Sequence, residues 1–307
     1  MRIVFMGTPD YSVKTLDALI KAGHNVVGVY AQPDKPVGRK RILTEPPVKV
    51  FAKEKGIPVF QPDNLREDGV LNNLKKLNPE LIVVVAYGKI LPETILNLPK
   101  YHCINGHASL LPKYRGSAPI QWSIVNGETE TGITIQYMDK GIDTGDIIET
   151  ETVKIGENET ADELFDRLSY VSADLTVKAI EKIENGTAVS IPQNENEATY
   201  APILKKEMAL MNFNKTANEL KNQVRGFYSW PCAYFMLEGK RIKVLKADTA
   251  GTTQIEAGTV IRSDNELHIA CGDGTVLSLL EVQPEGSRAM SVSVMLNGKK
   301  IPVGTRV

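Results

Sequence analysis

Two residues apart in the run NGHASLLPKYRG stand an amide and an imidazole, Asn105 and His107. At alternate positions of an extended strand, both side chains leave the backbone on one face. An amide N–H aimed at a reacting carbonyl stabilises the oxyanion that develops there, and an imidazole can take up or deliver a proton. Such a pair suits acyl-group transfer. Each residue alone has a plainer explanation: Asn serves turns, and a single His is more often structural than reactive.

A third group lies further on, in GITIQYMDKGIDTGDII, where Asp143 stands between Gly141 and Gly145. Asp139 and Asp146 crowd the same stretch, and a solvated acidic turn is the plain explanation. Metal ligation is the poorer one, because no second His or Cys lies nearby. A carboxylate brought beside His107 would orient the imidazole.

Something must carry these groups to one place. RIVFMG reads as a short strand that breaks at Gly7, and YSVKTLDALIKAGH follows with helical periodicity. NVVGVYA, IPVFQP and LIVVVAYG read as further strands, with helices over EPPVKVFAKEKG and REDGVLNNLKKLN between them. LIVVVAYG is apolar on both faces, as a buried parallel sheet requires. The alternation predicts an α/β sheet wound with helices on both sides. Ligands bind such sheets beyond the carboxyl ends of the strands, and three loops leave those ends: Gly7–Asp10, Tyr87–Gly88 and Asn105–Gly116. HCINGHAS reads as the next strand, TGITIQYM as another, and ADELFDRLSYVSADLTVKAIEKIENG as a helix ending at Gly186. Gly7 alone is no GxGxxG phosphate cradle, so a dinucleotide site is not expected.

From about residue 187 the texture changes. TAVSIPQNENEATYAPILKKE lacks clear periodicity and reads as a linker. After a helix over TANELKNQVRGF, short strands recur between Gly and Asp-Gly turns, the pattern of a small OB-like β-barrel.

With 307 residues two domains are expected, and 42% hydrophobic residues rule out a disordered chain. A net charge of −1 leaves no global field to draw the chain to nucleic acid, so any polyanion contact must be local. One local patch exists. PDKPVGRKRILTEPPVK sets Lys35, Arg39, Lys40, Arg41 and Lys49 against Asp34 and Glu45, and its prolines and Gly38 predict a loop outside helix and strand. Cys103, Cys232 and Cys271 are scattered, without CxxC spacing, and suit buried positions in a reducing compartment. The cytoplasm is expected, with neither a signal peptide nor a membrane span.

Taken together, NGHASLLPKYRG and GITIQYMDKGIDTGDII at this separation resemble the 10-formyltetrahydrofolate-dependent formyltransferases. The resemblance implies a catalytic trio of Asn105, His107 and Asp143, with Ser109, Leu110, Leu111 and Pro112 bordering the folate. FMGTPDYSVKTLDALIKAGHNVVGVYAQPDKPVGRKR, VVVAYGKILP and YSWPCAYF extend it to the branch of the family that acts on tRNA. It then implies a Rossmann-like catalytic domain over residues 1–188, a linker over 189–206 and an OB-like tRNA-binding domain over 207–307. The C-terminal part carries 12 Lys and Arg against 10 Asp and Glu, a slight positive excess. The implied reaction moves a formyl group from 10-formyltetrahydrofolate to the α-amine of methionine on initiator tRNA, without a metal. Arg39 falls on the tRNA-contacting arginine, flanked by Lys40 and Arg41, and a monomer away from membranes is expected. Gly106 departs from the pattern, where Val is common. Two other readings stand beside this one. A formyltransferase for a small amine would use the same trio without a tRNA-reading barrel, and a tRNA-binding module could hold a silent site.

Overall fold

The computed structural model describes residues 1–38 and 40–307. From the N-terminus, β1 (Arg2–Gly7), α1 (Asp10–Lys21) and β2 (Asn25–Tyr30) form the first β-α-β unit, its strands parallel. A small excursion follows, in which β3 (Lys35–Val37) pairs antiparallel with β4 (Ile42–Thr44). The sequence predicted a loop outside helix and strand here, and that expectation is corrected. Gly38 at φ 70° and Arg41 at φ 48° turn the chain back on itself, and a two-stranded ribbon tolerates the missing N–H of Pro36 on an edge.

The main sheet resumes with α2 (Pro47–Glu54), β5 (Val59–Phe60), α3 (Asp68–Leu77), β6 (Leu81–Val85), α4 (Glu93–Leu96) and β7 (Cys103–His107). After β8 (Arg115–Gly116) and α5 (Pro119–Val125) come β9 (Glu130–Tyr137), β10 (Ile147–Lys154) and the long α6 (Ala161–Glu184). The seven strands lie in the order β10-β9-β7-β6-β1-β2-β5. β1, β2, β5, β6 and β7 run parallel, and β9 turns antiparallel against β7. β6 is buried at all five positions, as its unbroken apolar run required.

Helices cover both faces of this sheet. On one face Val4, Met6, Ile82, Val84 and Cys103 pack with Val70 and Leu74 of α3. On the other, Ser12 of α1 donates to the Val85 carbonyl at 2.6 Å, and Tyr11 of α1 lies 5.0 Å from Phe165 of α6. All five parallel strands therefore present their carboxyl ends to one edge, where loops are free to carry chemistry.

The remaining elements are β11 (Tyr200–Ala201), α7 (Ala217–Gly226), β12 (Tyr234–Leu237), β13 (Lys240–Thr252), β14 (Val260–Ser263), β15 (Leu267–Ala270), β16 (Thr275–Pro284), β17 (Met290–Ser291) and α8 (Val292–Gly298). β12 to β17 form a curled antiparallel OB-like sheet whose register slips along β13 and β16, the kind of bulging that bends a sheet. Leu220 and Val224 of α7 fill its interior with Phe235, Val244, Leu267, Leu277 and Val282. Thr216 and Glu219 start α7 with a reciprocal capping box. By proximity the chain divides into two compact units, one of residues 1–119, 131–153 and 165–201, the other of residues 120–130, 154–164 and 202–307.

Candidate active site

Asn105 and His107 close the carboxyl end of β7, paired with Gln136 and Thr134 of β9. The alternation sends all four side chains to one face, while Gly106 between them faces the other. A Cβ at Gly106 would stand 3.0 Å from the Ser172 hydroxyl of α6. Glycine there lets helix and strand approach closely.

Beyond His107 the chain folds back at once. Ser109 donates its hydroxyl to the Lys113 carbonyl at 2.6 Å, and Thr134 ties the segment down by donating to the Ser109 carbonyl and accepting from Leu111 N–H. Tyr114, at φ 59°, then turns its carbonyl onto the His107 ring, 2.9 Å from Nε2. A carbonyl oxygen only accepts, so Nε2 carries the proton in that bond. The neutral imidazole therefore has its lone pair on Nδ1, which lies 3.6 Å from Asp143 Oδ2. That separation is too long for a hydrogen bond and short enough for an ion pair once the ring is protonated.

Asp143 reaches this position on a strained loop. Its φ is 55°, in the left-handed region that costs a non-glycine residue roughly 1–3 kcal/mol unless its surroundings hold it. The flanking glycines explain how. A Cβ at Gly145 would fall 1.7 Å from the Tyr137 carbonyl oxygen, and one at Gly141 1.9 Å from the Thr144 hydroxyl. At Gly145 the obstacle is backbone and no side chain fits, whereas a side chain at Gly141 would force the Thr144 side chain to move. The carboxylate is further gripped by three donors: Asn105 Nδ2 at 3.2 Å, Gln136 Nε2 at 3.1 Å and Gly116 N at 2.8 Å. Asp139 and Asp146 are used differently. Asp139 accepts from Gly141 N–H and the Thr144 hydroxyl, and Asp146 from the Ser190 hydroxyl.

The trio named from the sequence thus converges. Asn105 commits one amide hydrogen to Asp143 and has a second to offer. The arrangement can steady a developing oxyanion and move a proton beside it. Ser109, Leu110, Leu111 and Pro112 form the tight turn that leaves this face, with Ser109 and Leu111 buried. Arg39 lies outside the described residues. Its neighbours Lys40 and Arg41 are exposed, at the tip of the β3–β4 ribbon and apart from the trio's hydrogen bonds. Lys49 does not join them as a free cation, because it is bound by Asp34 at 2.8 Å and Glu45 at 2.9 Å. Lys49 holds the Asp34 carboxyl below its ordinary range, and Lys53, with Lys49 second, does the same for Glu45.

Sequence reasoning missed Gln136, Gln193 and Arg115. Gln136 had a signal: in ITIQY two polar side chains alternate with buried isoleucines on a strand otherwise made for a core. Gln193 had none, because it sits in the aperiodic stretch after α6. Arg115 is 1% exposed although charged, and nothing local in KYRG foretold its burial.

The formyl transferase family model matches residues 1–180, and the model of the formyl transferase C-terminal domain matches residues 203–300. A methionyl-tRNA formyltransferase from Alkaliphilus oremlandii is 47% identical over 305 residues, covering 99% of this chain and 98% of its own. Another from Geobacter metallireducens is 43% identical over 307 residues, covering 100% and 98%. Among solved structures, an N-formyltransferase from Helicobacter canadensis, in complex with folinic acid and dTDP-3-aminofucose, superposes with a TM-score of 0.68. It covers 92% of this chain and 99% of its own at 22% identity, a likeness of fold.

Proposed function

The chain belongs to the formyl transferase family, and from that premise we propose that it transfers the formyl group of 10-formyltetrahydrofolate to the α-amine of methionine on initiator tRNA. One observation carries the reading: Asn105, His107 and Asp143 meet at a strand edge of a chain that methionyl-tRNA formyltransferases match from end to end.

In the proposed reaction the amine attacks the formyl carbon, a C–N bond forms, and the carbonyl oxygen gathers negative charge. Asn105 donates its open amide hydrogen to that oxygen. His107 works through Nδ1, because Nε2–H is committed to Tyr114. It accepts the proton shed by the attacking amine and, as an imidazolium facing Asp143, returns it to the folate nitrogen as that bond breaks. Asp143 orients the ring and balances its charge. Ser109 to Pro112 would border the folate.

Arg39, Lys40 and Arg41 would grip the acceptor end of the tRNA, since guanidinium meets phosphate bidentately and stacks on an unpaired base. We assign catalysis to residues 1–188 and a further tRNA contact to 207–307, with 189–206 joining the two. Three buried free cysteines suit the cytoplasm, and no helix among the described residues is long and apolar enough to cross a membrane. We take the active species to be a monomer.

The test is to incubate the protein with 10-formyltetrahydrofolate and charged initiator tRNA and to assay for formylmethionine. Amino-sugar nucleotides and an aminoribonucleotide serve as rival acceptors. Formylmethionine as the main product supports the reading. Preferred formylation of a small amine replaces it with the small-amine transferase.

A further inference from the structure

We infer that Gln193 is a positioning residue for this reaction, holding the loop that carries Asp143 in the place the trio needs. The inference rests on the proposed function for its kinetic consequence, and on geometry alone for its structural one. Gln193 Nε2 donates to the Asp143 carbonyl at 2.9 Å and to the Gly145 carbonyl at 2.7 Å, and it meets Gln136 Oε1 at 3.3 Å. One amide group therefore holds the carbonyl of the strained residue and the carbonyl of Gly145 two positions on, and reaches the side chain that donates to the Asp143 carboxylate.

The direction of that amide is fixed from behind. Arg115 Nε and Nη2 approach Gln193 Oε1 at 3.1 and 2.8 Å. A guanidinium has donors only, so the oxygen must face Arg115 and the NH2 must face the loop. Arg115 is itself held by Glu195 through Nη1 at 2.9 Å and Nη2 at 2.7 Å. The guanidinium in turn keeps the Glu195 carboxyl below its ordinary range. Arg115 also immediately precedes Gly116, whose N–H grips Asp143 Oδ2. Backbone pairing closes the frame: Arg115 N donates to the Thr199 carbonyl, β11 pairs with β8, and Ile191 pairs with Ile147. The stretch that reads as featureless in sequence thus clamps the Asp143 loop.

Two variants separate positioning from plain stability. Gln193→Ala removes the clamp. Gln193→Glu keeps an oxygen on Arg115 but turns a second oxygen against three acceptors, so the fold is held while the loop is pushed away. With charged initiator tRNA, both variants should lose about 10²-fold in kcat, the effect of an ångström-scale misplacement. KM for both substrates should stay near native. Gln193→Glu should keep its melting temperature, and its rate relative to native should rise as pH falls, because a protonated carboxyl regains a donor.

A second readout needs no turnover. The Gly116 amide, bonded to Asp143 Oδ2, should lose hydrogen-exchange protection in both variants. Native kcat in either variant, or native protection of Gly116 in both, overturns the inference. If the native protein itself forms no formylmethionine, the functional reading fails, and Gly116 exchange still decides the role of Gln193.

Discussion

His107 Nε2 donates to the Tyr114 carbonyl at 2.9 Å, and this leaves Nδ1 as the nitrogen that faces Asp143. A loop of seven residues thus selects the tautomer of the imidazole. It follows that the carboxylate does not compete for the ring's only proton.

Asn105→Ala should lower turnover by about 10²–10³, as for loss of other oxyanion donors. Its Nδ2 also donates to Asp143 at 3.2 Å, but Gln136 and Gly116 remain to hold the carboxylate. Binding of charged tRNA, measured by filter retention, should barely change. Near-native turnover removes Asn105 from the site.

Gly106 stands where the resembling family often has Val, and the structure supplies a local reason. A Cβ would meet the Ser172 hydroxyl at 3.0 Å, and Ser172 is fully buried. Gly106→Val should destabilise by about 1–3 kcal/mol through overpacking. Adding Ser172→Ala should recover part of that loss. A double-mutant cycle with no coupling between the two positions contradicts this account.

Asp248 binds the nearly buried Lys221 ammonium at 2.9 Å, and that bond holds its carboxyl below the ordinary range. The folded chain therefore holds the proton more weakly than the unfolded chain. The pair's contribution is complete above the ordinary Asp value of about 3.9 and disappears as pH falls through the folded one. Because Asp248 is half exposed, the pair is worth on the order of 1 kcal/mol. Asp248→Asn should lower the melting temperature by about 2–4 °C at pH 7. The gap should close in acid. A gap that persists unchanged to about pH 2 assigns the loss to something other than the charge.

Lys35, Lys40 and Arg41 have no ion-pair partner among the described residues, whereas Lys49 has two. Among the described cations of the β3–β4 ribbon, Lys35, Lys40 and Arg41 are thus open to phosphate. Arg39→Ala should weaken use of charged tRNA and reduce the salt slope by about one phosphate contact. Hydrolysis of the folate alone should survive. Steady-state kinetics over a salt series decide it, and unchanged tRNA kinetics at every salt leave the ribbon as ordinary surface.

Much of this was legible in the sequence for a physical reason. β6 announces itself because a strand buried on both faces must be apolar throughout, and α2 because Pro47 opens it and Gly56 follows it. Asn105, His107 and Asp143 stood out because reactive residue types lie where loops leave strands, and the family resemblance joined them into one candidate trio. The β3–β4 ribbon was not, since two strands of three exposed residues leave no burial pattern to read. Gln193 and Arg115 escaped for a related reason. Their side-chain bonds to one another, to Gly145 and to Glu195 cross 48 to 80 residues of sequence, and no periodicity encodes a bond between loops.

The most direct test compares native protein with Asp143→Asn, Asp139→Asn and Asp146→Asn in a single turnover. Formylmethionine formation is followed on charged initiator tRNA with saturating 10-formyltetrahydrofolate. All three substitutions remove one negative charge from the same loop. Only Asp143 contacts Asn105, His107 and Gln136, whereas Asp139 and Asp146 bond within the loop and to Ser190. The native protein should form formylmethionine, and Asp143→Asn should be slower by about 10²–10⁴ while binding tRNA normally. Asp139→Asn and Asp146→Asn should lose far less. No product from the native protein, or equal losses in all three variants, contradicts the account.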